Sequence, residues 1–80
     1  MSRIPPATFR ELDGILRRLG FESRQGKGSH VFYRHPDGRT TTVPDHRARQ
    51  IGPSLIRSIL SDINLTRDEY LAARQGRFPS

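Results

Sequence analysis

Over the first twenty positions apolar residues recur at intervals of three and four: Phe9, Leu12, Ile15, Leu16 and Leu19. At 3.6 residues per turn these fall on one face, so the spacing predicts an amphipathic helix. Pro5 and Pro6 oppose helix just before it, Thr8 and Glu11 stand as a capping box, and Gly20 supplies the stop. Beyond Gly20 the pattern changes to short β-prone runs broken by glycine. Residues 21–25, 31–34 and 40–43 read as strands, with turns at Gly26-Lys27-Gly28 and Pro36-Asp37-Gly38-Arg39, and with Pro44 ending the third. Residues 45–50 are polar and read as loop. Gly52-Pro53 then opens a second helix, proline standing where its missing N–H costs nothing. Leu55, Ile56, Ile59, Leu60 and Ile63 form its stripe, and Asn64 caps its end. Thr66 and Glu69 make another capping box, predicting a short helical turn through Tyr70 and Leu71, while 75–80 shows no pattern and is expected to be disordered.

These elements predict an α+β fold in the order α-β-β-β-α, a three-stranded antiparallel sheet with helices on one face. Eighty residues allow a single domain, with its core at about 8–72. Leu12, Leu16, Leu19, Val31, Tyr33, Ile56 and Ile59 are the expected buried positions. Side chains alternate along a strand, so if Val31 and Tyr33 face the helices, His30, Phe32 and Arg34 face away from them.

Charge changes the picture. The formal net charge is +6, and every basic residue except Lys27 is arginine. Between Arg24 and Arg57 seven basic residues meet only two acids, Asp37 and Asp45, whereas the rest of the chain nearly balances. A concentrated positive field attracts polyanions, and the planar guanidinium matches phosphate oxygens in pairs. Nucleic acid is therefore the expected partner, with contact to an acidic protein as the alternative. The absence of cysteine excludes a disulfide framework and thiolate metal sites. No apolar run reads as a signal peptide or a membrane span, so the cytoplasm is the expected compartment and no membrane partner is expected.

Candidate chemistry narrows to three histidines, since there is no glycine-rich phosphate loop and no carboxylate pair spaced for acid–base work. His30 follows Lys27-Gly28-Ser29 at the mouth of the central strand. Glycine lets a phosphate approach the backbone, lysine and serine offer a charge and a hydroxyl, and histidine exchanges a proton near neutral pH. RNA carries its own nucleophile, the 2′-hydroxyl, so one histidine among basic residues is chemically sufficient for its cleavage. Arg34 and Arg39 are candidate phosphate contacts, as is His46 after Pro44-Asp45. The alternative for His30 is a turn residue bonded to its own loop, and His35, before Pro36, reads as a hairpin residue. Spacings of five and eleven residues between the histidines match no common zinc finger, so no metal and no cofactor are expected.

Taken together, Leu19-Gly20-Phe21, Lys27-Gly28-Ser29-His30, Tyr33-Arg34-His35-Pro36-Asp37-Gly38-Arg39, Val43-Pro44-Asp45-His46 and the helix carrying Leu55-Ile56-Arg57-Ser58-Ile59-Leu60 resemble the HicA toxin family. The resemblance runs from about Arg10 to Tyr70. It implies a fold similar to the double-stranded-RNA-binding domain and a metal-independent endoribonuclease, an mRNA interferase, acting on single-stranded messenger RNA. In that family the histidine of the Gly-Ser-His motif is catalytic, which here is His30, and a cognate HicB antitoxin binds and blocks the toxin. Family members often place Arg-Gln directly before Lys-Gly-Ser-His. Here Gly26 intervenes, and the motif leaves the facing of Arg24 open. A non-catalytic RNA-binding module of the same fold remains the alternative function.

Overall fold

The computed structural model describes residues 3–45 and 49–78. Its elements are α1 (Phe9–Arg18), β1 (Glu22–Gln25), β2 (His30–Arg34), β3 (Thr40–Pro44), α2 (Pro53–Asp62) and α3 (Arg67–Arg74). The Thr8 hydroxyl accepts the Glu11 amide at 3.1 Å while the Glu11 carboxylate accepts the Thr8 amide at 2.9 Å, so the capping box satisfies two N-terminal donors of α1. Leu12, Ile15 and Leu16 are buried, and Phe9 and Leu19 pack half-buried at the margins of the stripe. Gly20 ends the helix at φ +100°.

The strands form one antiparallel sheet in the order β1-β2-β3, with Tyr33 opposite Ser23 and Thr41, and Phe32 opposite Arg24 and Thr42. Tyr33, Thr41 and Val43 are buried on the covered face, where Val31 is half-buried. Polar groups on that face find partners in the helices, as burial requires. The Tyr33 hydroxyl donates to Asp13 at 2.7 Å and the Thr41 hydroxyl to Asp62 at 3.0 Å. The sheet is therefore pinned to both α1 and α2 by its own side chains.

Ile56, Ile59, Leu60 and Ile63 are buried under α2 and its cap, but Leu55, expected in the same stripe, is 40% exposed. It sits in the first helical turn, one position before Ile56, on the rim of the stripe. Asn64 takes a left-handed φ of 56° and the Leu65 amide returns to the Leu60 carbonyl at 2.9 Å, closing the helix as a C′ residue does.

The second capping box, Thr66 with Glu69, opens a full helix where the spacing predicts only a turn. Tyr70 and Ala73 of α3 are buried, and the Tyr70 hydroxyl donates to the Pro5 carbonyl at 3.3 Å. Past α3 the Arg77 amide donates to the Ala72 carbonyl at 2.9 Å, and Phe78 packs against the core with the Arg18 guanidinium 5.5 Å from its ring centre. At the other end Ala7 and Ile51 exchange backbone hydrogen bonds of 3.1 and 2.6 Å, tying the segment before α1 to the one before α2.

Candidate active site

The β1–β2 hairpin builds the site from its backbone. The His30 amide donates to the Lys27 carbonyl at 3.2 Å, closing a turn whose first central residue, Gly28, has φ +62°. Positive φ at that position is what a type II′ hairpin turn requires, so this glycine shapes the turn as well as leaving its surface open. The His30 carbonyl accepts the Gly26 amide at 3.0 Å, and a Cβ on Gly26 would stand 2.7 Å from that oxygen. On the other side the Asp45 amide donates to the Ser29 carbonyl at 2.6 Å, and His30 pairs with Pro44. The backbone around His30 is thus held by both neighbouring strands while Lys27, Gly28, Ser29 and His30 are exposed.

Alternation along β2 places His30, Phe32 and Arg34 on the open face, with Tyr33 fully buried between the latter two. Residues directly opposite on antiparallel strands share a face, so Arg24, paired with Phe32, joins them. That register settles the facing that Gly26 left open in the motif. Arg24 and Arg34 line a groove along the β1 edge with Glu22, Ser23, His35 and Pro36. Among the described residues neither guanidinium has an ion-pair or hydrogen-bond partner, so both are available to an anion.

Arg39 is not brought to this face. Its guanidinium bonds the Ile63 carbonyl, pairs with Asp37 at 2.8 Å and lies 5.2 Å from the Phe21 ring centre. It also stands beyond the far end of β2, opposite His35 and about 17 Å along the strand from His30. His35 belongs to the same cluster, as a hairpin residue: its Nδ1 accepts the Asp37 amide at 3.1 Å and its ring meets Phe21 edge-on at 5.0 Å. The Arg39 amide, first, and its guanidinium hold the Asp37 carboxyl below the usual aspartate range. His46 lies outside the described residues.

What the arrangement offers is specific. A hydroxyl, an ammonium and an imidazole share one turn, and the two guanidiniums and an aromatic ring extend from it across the sheet. Arg24, Gly26 and the exposure of Phe32 complete a site whose motif showed only Lys27 to His30. Among the described residues no three of His, Cys, Asp and Glu converge to hold a metal ion. None of the described helices is long and apolar enough to cross a membrane.

The family described as the HicA toxin of bacterial toxin–antitoxin systems matches residues 9–65, a span that contains the whole sheet and leaves out α3 and the Pro5-Pro6 segment. A protein of Pseudomonas fluorescens (strain Pf0-1) named probable mRNA interferase HicA is 40% identical over 57 residues, covering 71% of this chain and 93% of the relative. With that span and that identity, the chain belongs to the HicA toxin family of bacterial toxin–antitoxin systems.

Proposed function

We propose that this toxin is an endoribonuclease that cleaves messenger RNA in the cytoplasm, with His30 as its proton-transfer residue. The observation that carries the reading is the exposed imidazole in the Lys27–His30 turn at the mouth of a basic, open sheet face. Its relative's name, mRNA interferase, supports the same substrate. The RNA 2′-oxygen attacks the adjacent phosphorus, the bond to the 5′-oxygen breaks, and a 2′,3′-cyclic phosphate and a free 5′-hydroxyl result. The 2′-hydroxyl gives up a proton and the 5′-oxygen takes one, and His30 serves this exchange. Lys27, the Ser29 hydroxyl and the open backbone at Gly28 receive the phosphate, while Arg34, about 13 Å further along β2, meets a neighbouring phosphate of the same RNA strand. This chemistry draws on the RNA's own nucleophile and needs neither metal nor cofactor. The partner of the toxin is an antitoxin of the HicB type, which blocks the site with an acidic surface complementary to the basic face.

The test is pure protein incubated with labelled RNA in excess chelator. Fragments ending in 2′,3′-cyclic phosphate are expected, with binding that weakens as salt rises. RNA that is shifted on a gel but never cut would make the chain a binding module instead.

A further inference from the structure

Phe32 is not part of the hydrophobic core. Its strand neighbour Tyr33 is fully buried, yet Phe32 is 36% exposed at the centre of the open face. Arg24 and Thr42 stand opposite it on the two flanking strands, and His30 and Arg34 stand two residues away along its own. Two guanidiniums with no ion-pair partner among the described residues, and the proposed proton-transfer residue, therefore surround an exposed aromatic ring. An apolar ring in that company gains little from water and much from a flat partner that brings phosphates with it.

We infer that Phe32 is a stacking platform for an unpaired base next to the scissile phosphate, with Arg24 and Arg34 holding the flanking phosphates. The inference rests on the ribonuclease reading above and names a specificity-determining residue for it: the ring that selects an unpaired base over a paired one. His30 and Phe32 are about 7 Å apart along the strand, so a strand whose phosphate lies at His30 carries its neighbouring base over the ring. In a duplex both faces of each base are covered by its neighbours, so Phe32 finds no base to stack on without extruding it. Charge alone would favour the duplex, with its denser phosphates; the ring reverses that preference.

The first arm of the test needs no variant. The parent protein is given single-stranded RNA oligonucleotides in which each base in turn is removed to leave an abasic sugar. One abasic position beside the cut bond should lower affinity and cleavage about five- to 150-fold, and pairing the same strand into a duplex should suppress cutting. In the second arm Phe32→Ala should lose a similar factor on intact RNA and nothing more on the abasic strand. Phe32→Tyr should retain stacking, and Phe32→Leu, apolar without a flat ring, should not. In the third arm an RNA carrying 2-aminopurine at the sensitive position is bound to His30→Ala, where stacking on Phe32 should quench its fluorescence. A parent that cuts nothing would overturn the ribonuclease reading, while quenching in the third arm would still report stacking. A parent that cuts every abasic strand equally would overturn the stacking inference alone. So would Phe32→Ala cutting at the parent rate, as expected if the ring serves only a protein partner.

Discussion

The amide of Gly26 donates to the carbonyl of His30 at 3.0 Å, so close that a Cβ on Gly26 would reach to 2.7 Å from that oxygen. The neighbour is backbone, which cannot swing aside as a side-chain tip would. Gly26→Ala should therefore push the start of β2 away and tilt the His30 imidazole off its phosphate. We expect a loss of about 1–3 kcal/mol in stability and a larger relative loss in cleavage, read from thermal melts and single-turnover rates. A variant that melts and cuts like the parent would show that the hairpin tolerates the shift.

The centre of the sheet is anchored by Tyr33, whose hydroxyl donates 2.7 Å to Asp13, itself bound by Arg17 at 3.0 Å. Tyr33→Phe keeps the ring and removes a hydrogen bond to a charged acceptor, costing about 1.5–3 kcal/mol. At about 4–8 °C per kcal/mol for a domain of this size, the drop in Tm should be plain. Burial, with the Asp13 hydrogen bond added, pushes the Tyr33 hydroxyl far above the ordinary tyrosine value of 10.0. The folded state then holds a proton that the unfolded state releases. The contribution is complete below pH 10 and is lost as pH rises beyond it. Tyr33→Phe should flatten that alkaline loss, as melts above pH 10 would show.

Acid acts through the two capping boxes. The Thr8 and Thr66 amides hold the Glu11 and Glu69 carboxyls below their ordinary value of 4.5. Because the folded pKa values are depressed, the stabilisation is complete above the unfolded value and disappears as pH falls through the folded ones. Stability should decline below about pH 4.5. Glutamine still accepts the same amide without titrating, so the double variant Glu11→Gln, Glu69→Gln should decline less steeply. Parallel acid melts of parent and variant would contradict this.

Arg39 and Arg34 should behave differently although both are arginines in the basic stretch. Arg39 is bonded to Ile63, Asp37 and the Phe21 ring, whereas Arg34 is exposed on the open face without an ion pair among the described residues. Arg39→Ala should cost about 2 kcal/mol of stability and leave the salt dependence of RNA binding intact. Arg34→Ala should leave Tm nearly unchanged and reduce the salt slope by about 0.7, one phosphate contact on a single strand. The reverse pattern would place the phosphate track at the β2–β3 hairpin.

How far the sequence was legible follows from the range of each interaction. The two capping boxes, the Gly20 stop and the β2–β3 turn are settled within three or four residues, and all are where the pattern puts them. The open face was legible because Val31 and Tyr33 alternate with His30, Phe32 and Arg34. Leu55 was misplaced because apolar spacing marks a stripe but not its rim. Most of α3 escaped notice because Ala72 and Ala73 carry too little apolar bulk to mark a face, though Ala73 is buried against the core. Arg39 reads as a candidate phosphate contact because two of its partners, Phe21 and the Ile63 carbonyl, are distant in sequence and meet it only in the fold. The facing of Arg24 depends on the β1–β2 register, which no single segment encodes.

The last prediction concerns His30 itself. Its side chain is exposed, and its backbone is held by Gly26, Lys27 and the pairing with Pro44. His30→Ala therefore removes an imidazole that no packing depends on, and the backbone bonds that shape the turn survive. Fold, Tm and RNA affinity should change little, because Lys27, Arg24 and Arg34 still meet the phosphates. Cleavage should fall by about 10²–10⁴, the usual contribution of a positioned acid–base group. Growth arrest on expression should disappear with it. His35→Ala supplies the contrast, since His35 packs on Phe21 and bonds the Asp37 amide. It should lower Tm while the folded fraction still cuts. A His30→Ala protein that folds, binds RNA and cuts it at the parent rate would remove His30 from the chemistry. The proton transfer would then have to be sought elsewhere, with His46 as the next histidine to replace.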